Sequence, residues 1–139
     1  MGDISLTAAN VRALQANGAV PRPYTAGAAI TVGEAVYIAS DGDVEPADAD
    51  LTEAAAKAIG IAVESYDGET SIAENDPVSV CVFGPVAGFS GMTPGETLYT
   101  SDVAGNISDT AGTASHVIGH AESATIVWVD PDQSDPSSS

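Results

Sequence analysis

The amino-acid sequence predicts an all-β fold, a small antiparallel β-barrel or sandwich made of two repeated strand units, with an extended or partly helical N-terminal arm. Three observations lead to this prediction. A chain of 139 residues can bury one shared core. It contains 14 Val and 9 Ile against 4 Leu, and β-branched side chains favour strands. The pentapeptide GEAVY at 33–37 returns as GETLY at 95–99.

Residues 1–24 lie outside the repeat and are predicted to form the N-terminal arm. The dipeptide Asn17-Gly18 is a stop signal for a short helix over the preceding apolar positions. The stretch AVPRPY at 19–24 is predicted to be extended, because residues before proline avoid the α region. The sequence leaves open whether this arm packs on its own domain or reaches a neighbouring molecule.

Residues 25–131 are predicted to form the β domain, with repeat units at about 25–84 and 88–131. Alternation places Val36 and Ile38 on one face of the first strand and Tyr37 on the other. The phrase IGIAVES at 59–65 matches IGHAES at 118–123, and DPVSVCVFG corresponds loosely to SATIVWVDP. Three strands cannot enclose a core alone, so the two units are expected to face each other.

Connections and ends complete this prediction. Asp50 and Glu53 have capping-box spacing before an Ala-rich stretch, which predicts a turn or two of helix. The sequences SDGD, YDGE and VAGN are predicted to be turns that use glycine. Residues 132–139 are polar, acidic and interrupted by proline, so a disordered tail is expected.

The charge balance is strongly acidic, with 20 Asp and Glu against Arg12, Arg22 and Lys57, for a net charge of -17. Such a surface repels phosphate, so neither nucleic acids nor anionic membranes are expected partners. Two explanations remain open: an acidic protein at ordinary ionic strength, or a protein adapted to high salt, where screening removes the repulsion among carboxylates. The near absence of lysine favours adaptation to high salt.

No catalytic or cofactor motif emerges, so the protein is not expected to be an enzyme. The GFSGM stretch around Ser90 lacks the spacing of a nucleophile elbow. The only weak metal candidates are His116, His120 and Glu122, which alternation places on one strand face. Ile61 takes the place of His120 in the first unit, which favours a reading without metal. No cofactor is expected.

The acidic loop at 41–50 carries alternating carboxylates. A calcium-binding EF-hand loop needs Gly at its sixth position and Glu at its twelfth, where this sequence has Pro46 and Thr52. A solvated acidic loop is therefore the prediction, and a weak exposed cation site stays open.

Taken in order, these segments resemble the capsid cement or head-decoration proteins of tailed viruses. The resemblance covers roughly residues 24–131 and is carried by AITVGEAVYIASDGDV, AIGIAVES, DPVSVCVFGPVAGFSGMTPGETLYTSDVAGNIS and VIGHAESATIVWVDP. It lies in a Gly-(Asp/Glu)-x-Val-(Val/Tyr) strand in each half, followed by an (Ile/Val)-Gly-x-Ala strand. This chain is more acidic than typical members and has a longer lead, which indicates a virus of a halophilic host.

The resemblance implies a structural virion protein, located on the outer surface of an icosahedral capsid. It also implies the major capsid protein as partner and self-association, expected as a homotrimer. We expect the N-terminal arm to grip the capsid and a domain lacking residues 2–20 to stay folded. A tail, baseplate or turret component involved in host attachment is the alternative. The expected capsid contacts are Leu6, Val11, Arg12, Leu14, Arg22 and Tyr24.

Overall fold

The computed structural model is all-β, with 45% of residues in strands and 8% in helices. It describes residues 2–132 and the backbone of residues 137–138. One α-helix, α1, spans Glu53–Ala56, and two 3-10 turns span Ala8–Asn10 and Gln15–Asn17. The strands described are β1 (Ser5–Leu6), β2 (Arg12–Ala13), β3 (Val20–Thr25), β4 (Ile30–Thr31), β5 (Ala35–Ile38), β6 (Val44–Pro46), β7 (Gly60–Ser65), β8 (Ser71–Ile72), β9 (Pro77–Ala87), β10 (Phe89–Ser90), β11 (Thr97–Thr100), β12 (Ile107–Ser108), β13 (Ala114–Ser115), β14 (Val117–Ala121), β15 (Ile126–Val129) and β16 (Ser137–Ser138).

The main sheet curls into a half-barrel, which confirms the predicted fold class. Its strand order is β12-β11-β14-β15-β9-β7-β5-β6, with β2 and β3 also paired to β9. The ladders between named strands are all antiparallel, and three short ones, β1-β10, β4-β8 and β13-β16, lie outside the main sheet. Curling a sheet in this way brings its inner face onto a single core.

The two repeated segments have the same topology. In each unit the first strand pairs with a short hairpin partner and with the glycine-bearing strand, which in turn pairs with the third strand. The register is equivalent as well. In both units the strand glycine, Gly60 or Gly119, lies opposite the first strand, and the residue after it lies opposite the third strand. The matching pairs are Val36–Gly60 and Ile61–Cys81 in the first unit, and Leu98–Gly119 and His120–Trp128 in the second.

The repeated phrase encodes one turn, Thr-x-Gly-Glu, at residues 31–34 and 93–96. Its glycine has a φ of +104° in the first unit and +89° in the second, as the third position of a type II turn requires. In both turns the glutamate carboxylate accepts a hydrogen bond from the threonine N–H, at 2.8 Å and 3.0 Å. The glutamate thus satisfies a backbone donor at the start of each unit, which explains why an acid recurs there.

Strand β9 is the centre of the sheet, since both of its edges are paired. Residues 78–81 pair with β3 and β7, and residues 86–87 pair with β2 and β15. The N-terminal segment therefore supplies a neighbour at both ends of β9. Of the two alternatives left open for this segment, the structure shows packing on its own domain, through the pairing of β1, β2 and β3.

The local structure of the N-terminal segment is partly helical and partly extended. Its helical parts are two 3-10 turns rather than an α-helix, because β2 lies between them and pairs with β9. Gly18 ends the second turn in the left-handed region, with φ 101°, as the sequence predicts. Strand β3 confirms the extended prediction for the proline-containing stretch.

Besides sharing β9, the two units are joined by a line of backbone hydrogen bonds, called the second seam below. The Ala35 N–H donates to Gly105 O at 2.9 Å, and the Gly105 N–H donates to Ala47 O at 2.7 Å. The Ala49 N–H donates to Ser101 O at 2.9 Å. Glu34 lies against Gly105, and this burial raises the pKa of its carboxyl, opposed by the hydrogen bond from the Thr31 N–H. The seam between the units and the shared strand β9 together enclose the interior.

The core is built from small aliphatic side chains, including Val36, Ile61, Leu98 and Ile118, each fully buried. Alternation fails at Ile38, which is 46% exposed, because β5 ends there and the chain turns into the acidic loop.

Helix α1 begins two residues later than the capping-box spacing predicts. Its cap is Thr52, whose Oγ1 accepts a hydrogen bond from the Ala55 N–H at 2.9 Å. The prediction of Asp50 as the cap was therefore wrong. The Asp50 N–H instead donates to the Asp48 carboxylate in the preceding turn.

The C-terminal segment falls mostly outside the described residues. The Asp132 N–H donates to Val117 O at 3.0 Å, and β16 pairs with β13. The expectation of a disordered tail concerns residues 133–136 and 139 as well, and these lie outside the described part of the chain.

Candidate contact surface

Three rings meet on the outside of the sheet. The Phe83 and Trp128 ring centroids are 5.3 Å apart with an interplanar angle of 77°, an edge-to-face contact. The His120 ring is stacked on Trp128 at 6.3 Å and 24°. Val20 lies opposite Phe83 in the β3-β9 ladder, and the two side chains are 42% and 43% exposed. These four residues, Val20, Phe83, His120 and Trp128, are called the aromatic patch below.

Strand alternation places the tryptophan in this patch. Val127 and Val129 on either side of Trp128 are fully buried, so the intervening side chain points away from the core. His120 lies directly opposite Trp128 in the β14-β15 ladder, which brings the two rings together.

Outward placement of these rings is unusual for this composition. The chain has only one Trp and two Phe, and aromatic residues make up 5% of it. Aromatic rings that a small core could bury but that stay on the surface are typical of protein contacts, because they supply large apolar area at a low cost in side-chain entropy.

A groove of about 330 Å³ brings two of the three basic residues together. Arg22 and Lys57 line it with Tyr24, over an apolar wall that includes Ile59 and Val82. Arg22 and Tyr24 lie two residues apart on β3 and therefore share a face. This basic groove, as we call it below, is also lined by Ala58, Pro131 and Asp132.

Two of the three expected apolar contact residues of the N-terminal segment, Leu6 and Val11, are turned toward the domain. Val11 is only 7% exposed, so its side chain belongs to the core and is not an exposed anchor. Leu6 is partly buried and lies against Gly33, where it leaves no room for a Cβ. The Leu14 N–H donates to Pro85 O at 2.9 Å and fixes the chain to β9. The pairing of β1 with β10 and of β2 with β9 is the physical reason that Leu6 and Val11 lie against the domain.

The two arginines lie in different environments. Arg12 is exposed on β2 and lines a cavity of about 290 Å³ with Glu64 and Glu69. Arg22 is exposed on β3 and shares the basic groove with Tyr24. The structure therefore brings Arg22 and Tyr24 together and leaves Arg12 apart from them.

The weak metal candidates do not converge. His116 is 2% exposed and faces the interior, whereas His120 and Glu122 are exposed. The register shift between Leu98 and Tyr99 breaks the regular alternation that the prediction assumed. Among residues 2–132, no group of three or more His, Cys, Asp or Glu side chains could hold a metal ion.

His116 lies at the second seam. Its Nε2 is 3.1 Å from Ala58 O, and its buried Nδ1 has no hydrogen-bond partner. Burial lowers the pKa of His116, partly offset by the Ala58 carbonyl and by the charge of Asp132, while the charge of Lys57 lowers it further. Burial thus favours the neutral form of this imidazole where the two units meet.

The acidic loop surrounds a tyrosine with carboxylates. Tyr37 pairs with Glu45 across the β5-β6 ladder. Burial raises the pKa of the Tyr37 phenol, and the nearby charges of Glu45, Asp41 and Asp48 raise it further. The Asp43 N–H donates to the Asp41 carboxylate at 3.0 Å, which shapes the turn as an Asx-turn.

Comparison with models of known protein families finds no match, and comparison with curated protein sequences finds none. In the part of the chain that the structure describes, no helix has the length and apolar character to cross a bilayer.

Lys57 and the aromatic patch are not among the contact residues predicted from the sequence. Lys57 is the only lysine of the chain, and this rarity is the feature of the sequence that could have marked it as a candidate contact residue. Trp128 alternates with buried valines, so its outward direction was readable from the pattern IVWV. The contacts of Trp128 with Phe83 and His120 had no sequence signal, because they join three different strands.

Proposed function

We propose that this protein is a structural virion protein that decorates the outer surface of an icosahedral capsid and stabilises the joints between capsomers. The observation that carries the proposal is the aromatic patch, a surface cluster of exposed Phe83 and His120 around the half-buried Trp128 in a chain poor in aromatic residues. The resemblance of the ordered motifs to capsid cement proteins supplies the location, and the patch supplies a surface suited to contact with another protein.

The fold supports a mechanical role. Two equivalent units share strand β9 and are joined by backbone hydrogen bonds at the second seam. A domain tied together in this way holds a contact surface in fixed geometry, so little ordering cost arises on binding. Bound across a joint, such a domain adds interface free energy to it, and stable interfaces of this kind bury about 1,200 Å² or more.

The major capsid protein is the proposed partner. The aromatic patch makes the apolar contact, and Arg22 and Tyr24 contribute polar contacts from the neighbouring strand β3. Copies of the protein associate with one another, as a homotrimer by resemblance to the cement family. The net charge of -17 faces solvent and suits a particle that persists in high salt.

Copy number in purified particles tests the proposal. Quantitative mass spectrometry should find hundreds of copies per particle, whereas a tail, baseplate or turret component would be present in a few to tens. That lower number would overturn the capsid assignment in favour of the tail alternative.

Variants test the part played by the aromatic patch. Particles made with Trp128→Ala or Phe83→Ala should carry about tenfold fewer copies, since central aromatic anchors dominate interface energies. Tyr66→Ala is the matched control, because Tyr66 is 67% exposed and lies outside the patch. Thermal melts of the isolated variants establish that they are folded. An undiminished copy number for folded Trp128→Ala would contradict the role of the patch.

A further inference from the structure

We infer that the partner binds across one continuous face of the sheet, with apolar side chains on the aromatic patch and a carboxylate beside Arg12. The inference deepens the proposed contact, because it names the chemistry that the partner presents and the distance between its two parts. It rests on the proposed function only for the identity of that partner as the major capsid protein. Strands β2, β9 and β15 and one cleft beside them carry the argument.

Arg12 lies on the same outer face of the sheet as Trp128. Cross-strand neighbours share a face, and Arg12, Ala87 and Ile126 form one row of neighbours across β2, β9 and β15. The adjacent row includes Val127, which is fully buried, so the row of Arg12 points away from the core. Trp128 follows Ile126 by two residues on β15 and shares that outward direction.

The separation between Arg12 and the aromatic patch is that of a short extended segment. Strands in a sheet lie about 4.8 Å apart, so the Cα of Arg12 is about 10 Å from that of Ile126, two strands away. The step along β15 from Ile126 to Trp128 is about 7 Å in the perpendicular direction, which gives about 12 Å between the Cα atoms of Arg12 and Trp128. An extended chain covers this distance in about three to four residues. One partner segment therefore reaches both.

An open cleft of about 410 Å³ is continuous with this face, because Ala87 lines it. Its polar lining consists of Thr7, Asn10, Arg12, Ser90 and Thr125. None of the described residues that line the cleft is acidic, although the chain has 20 Asp and Glu. A carboxylate in the cleft is therefore attracted by the guanidinium and meets hydroxyl and amide donors.

Arg12 has no charged partner within the chain as far as residues 2–132 are concerned. Its guanidinium forms neither an ion pair nor a hydrogen bond with any of them. Glu64 and Glu69 line a second cavity together with Arg12, and neither forms an ion pair with it. An exposed guanidinium presents paired N–H donors that match the two oxygens of a carboxylate. Arg12 is therefore open to a carboxylate from outside the chain.

A protein segment suits this surface better than a free anion does. A free anion would use the guanidinium and the polar side chains of the cleft, but it would leave the apolar side chains of Ile126 and Trp128 in contact with water. A segment that carries apolar and acidic residues covers both parts. An apolar centre with a polar rim is the usual arrangement of a protein interface.

Nuclear magnetic resonance of the purified, ¹⁵N-labelled full chain tests the inference with a defined probe. The peptide Leu-Ser-Leu-Ser-Asp-Ser, capped at both termini, places two leucines and an aspartate on one side when it is extended. The capped peptide Leu-Ser-Leu-Ser-Asn-Ser is the control. The chain has one Trp and two Arg, so the side-chain N–H signals of Trp128 and Arg12 are followed separately. The lowest KCl concentration at which circular dichroism shows the folded protein is used, because salt screens exposed charges.

The acidic peptide should shift both signals and bind about threefold or more tightly than the control peptide, as expected for an exposed ion pair. The control peptide should shift the Trp128 signal alone. Equal binding of the two peptides, an Arg12 signal that does not move, or no binding at millimolar peptide would overturn the inference. Potassium phosphate that moves the Arg12 signal as far as the acidic peptide does would assign the cleft to a free anion and overturn it as well.

Variants locate the carboxylate in the cleft. Arg12→Gln and Asn10→Asp should each lower the affinity for the acidic peptide to near that of the control peptide, since one removes the cation and the other adds a competing carboxylate. Ser40→Asp is the matched control, because it makes the same change in net charge at an exposed position outside the cleft. Circular dichroism establishes that each variant is folded. Equal weakening by Ser40→Asp would show a general charge effect and refute the site.

Sedimentation of the same variants tests whether a second copy occupies the cleft. Self-association that is lost in Arg12→Gln would assign the cleft to a contact between copies and overturn the inference. An unchanged oligomeric state together with weaker peptide binding would support it. Because these measurements use purified protein, they stand apart from copy number in particles, and either proposal can fail without the other.

Discussion

Substitution of Gly60 in β7 and of Gly119 in β14 tests whether the repeated units are equivalent. A Cβ added at Gly60 would overlap the carbonyl oxygen of Cys81, and one added at Gly119 would overlap the carbonyl oxygen of Trp128. Both obstacles are backbone atoms of the third strand of the same unit. Real Cβ atoms essentially never approach a heavy atom closer than 3.0 Å, and both sites lie far inside that limit. The third strand must therefore move away in each variant.

We expect Gly60→Ala and Gly119→Ala to lower the free energy of unfolding by about 3 kcal/mol or more each. Overpacking alone costs about 1–3 kcal/mol, and displacement of a paired strand adds to it. Gly68→Ala is the control, because Gly68 has φ +80° with no atom within 4 Å of an added Cβ. Its cost is the left-handed backbone alone, about 1–2 kcal/mol.

Urea unfolding at one fixed KCl concentration measures these differences, read from the midpoint with an unchanged slope. If Gly60→Ala and Gly119→Ala cost no more than Gly68→Ala, the steric argument is wrong. If only one of them is strongly destabilising, the two units are not equivalent in the way their registers indicate.

Three further predictions concern the whole domain. Burial lowers the pKa of His116 below 6.5, so the unfolded chain binds the proton first as the pH falls, and the His116 contribution to stability should be complete above pH 6.5 and decrease below it by at most about 1.4 kcal/mol per pH unit. The substitution His116→Gln should reduce this pH dependence of the free energy of unfolding in urea titrations, and an unchanged pH dependence would contradict the prediction. The melting temperature should rise from low to multimolar KCl, because the Debye length falls from about 10 Å at 0.1 M to about 3 Å at 1 M and repulsion among the carboxylates is screened. Equal melting temperatures at the two concentrations would contradict adaptation to high salt. Deletion of residues 2–20 should abolish cooperative unfolding, since it removes β2 from β9 and the Val11 side chain from the core; a truncated chain that melts within a few degrees of the full chain would refute this.

From the sequence alone, a domain lacking residues 2–20 is expected to stay folded, whereas the structure predicts that it does not. The segment lies outside the repeat, and its short apolar spacing has neither a full helical nor a full strand period. No local pattern reveals that β9 has an unpaired edge, because that edge is created only when the units fold. Arg12–Ala13 and Val20–Thr25 complete it, and this is why residues that resemble an arm are part of the domain.

The contact surface shows the same limit. Arg22 and Tyr24 both line the basic groove. Their shared strand face can be predicted from the sequence, because they lie two residues apart on one strand. Lys57 reaches that groove from the segment that follows α1, and Trp128 on β15 contacts Phe83 on the neighbouring strand β9. These meetings depend on the order and register of strands, which short-range patterns do not specify.

The sequence by itself determined the β class, the duplicated unit and its turns, because these follow from local causes: β-branched side chains, period-two alternation, and glycines where the backbone needs positive φ. The tertiary structure alone decided that the N-terminal segment borders β9, that His116 is buried while His120 is exposed, and that three rings meet outside the sheet. Those outcomes depend on contacts between residues far apart in the chain. Such contacts stabilise the protein only after the two units have packed on one core.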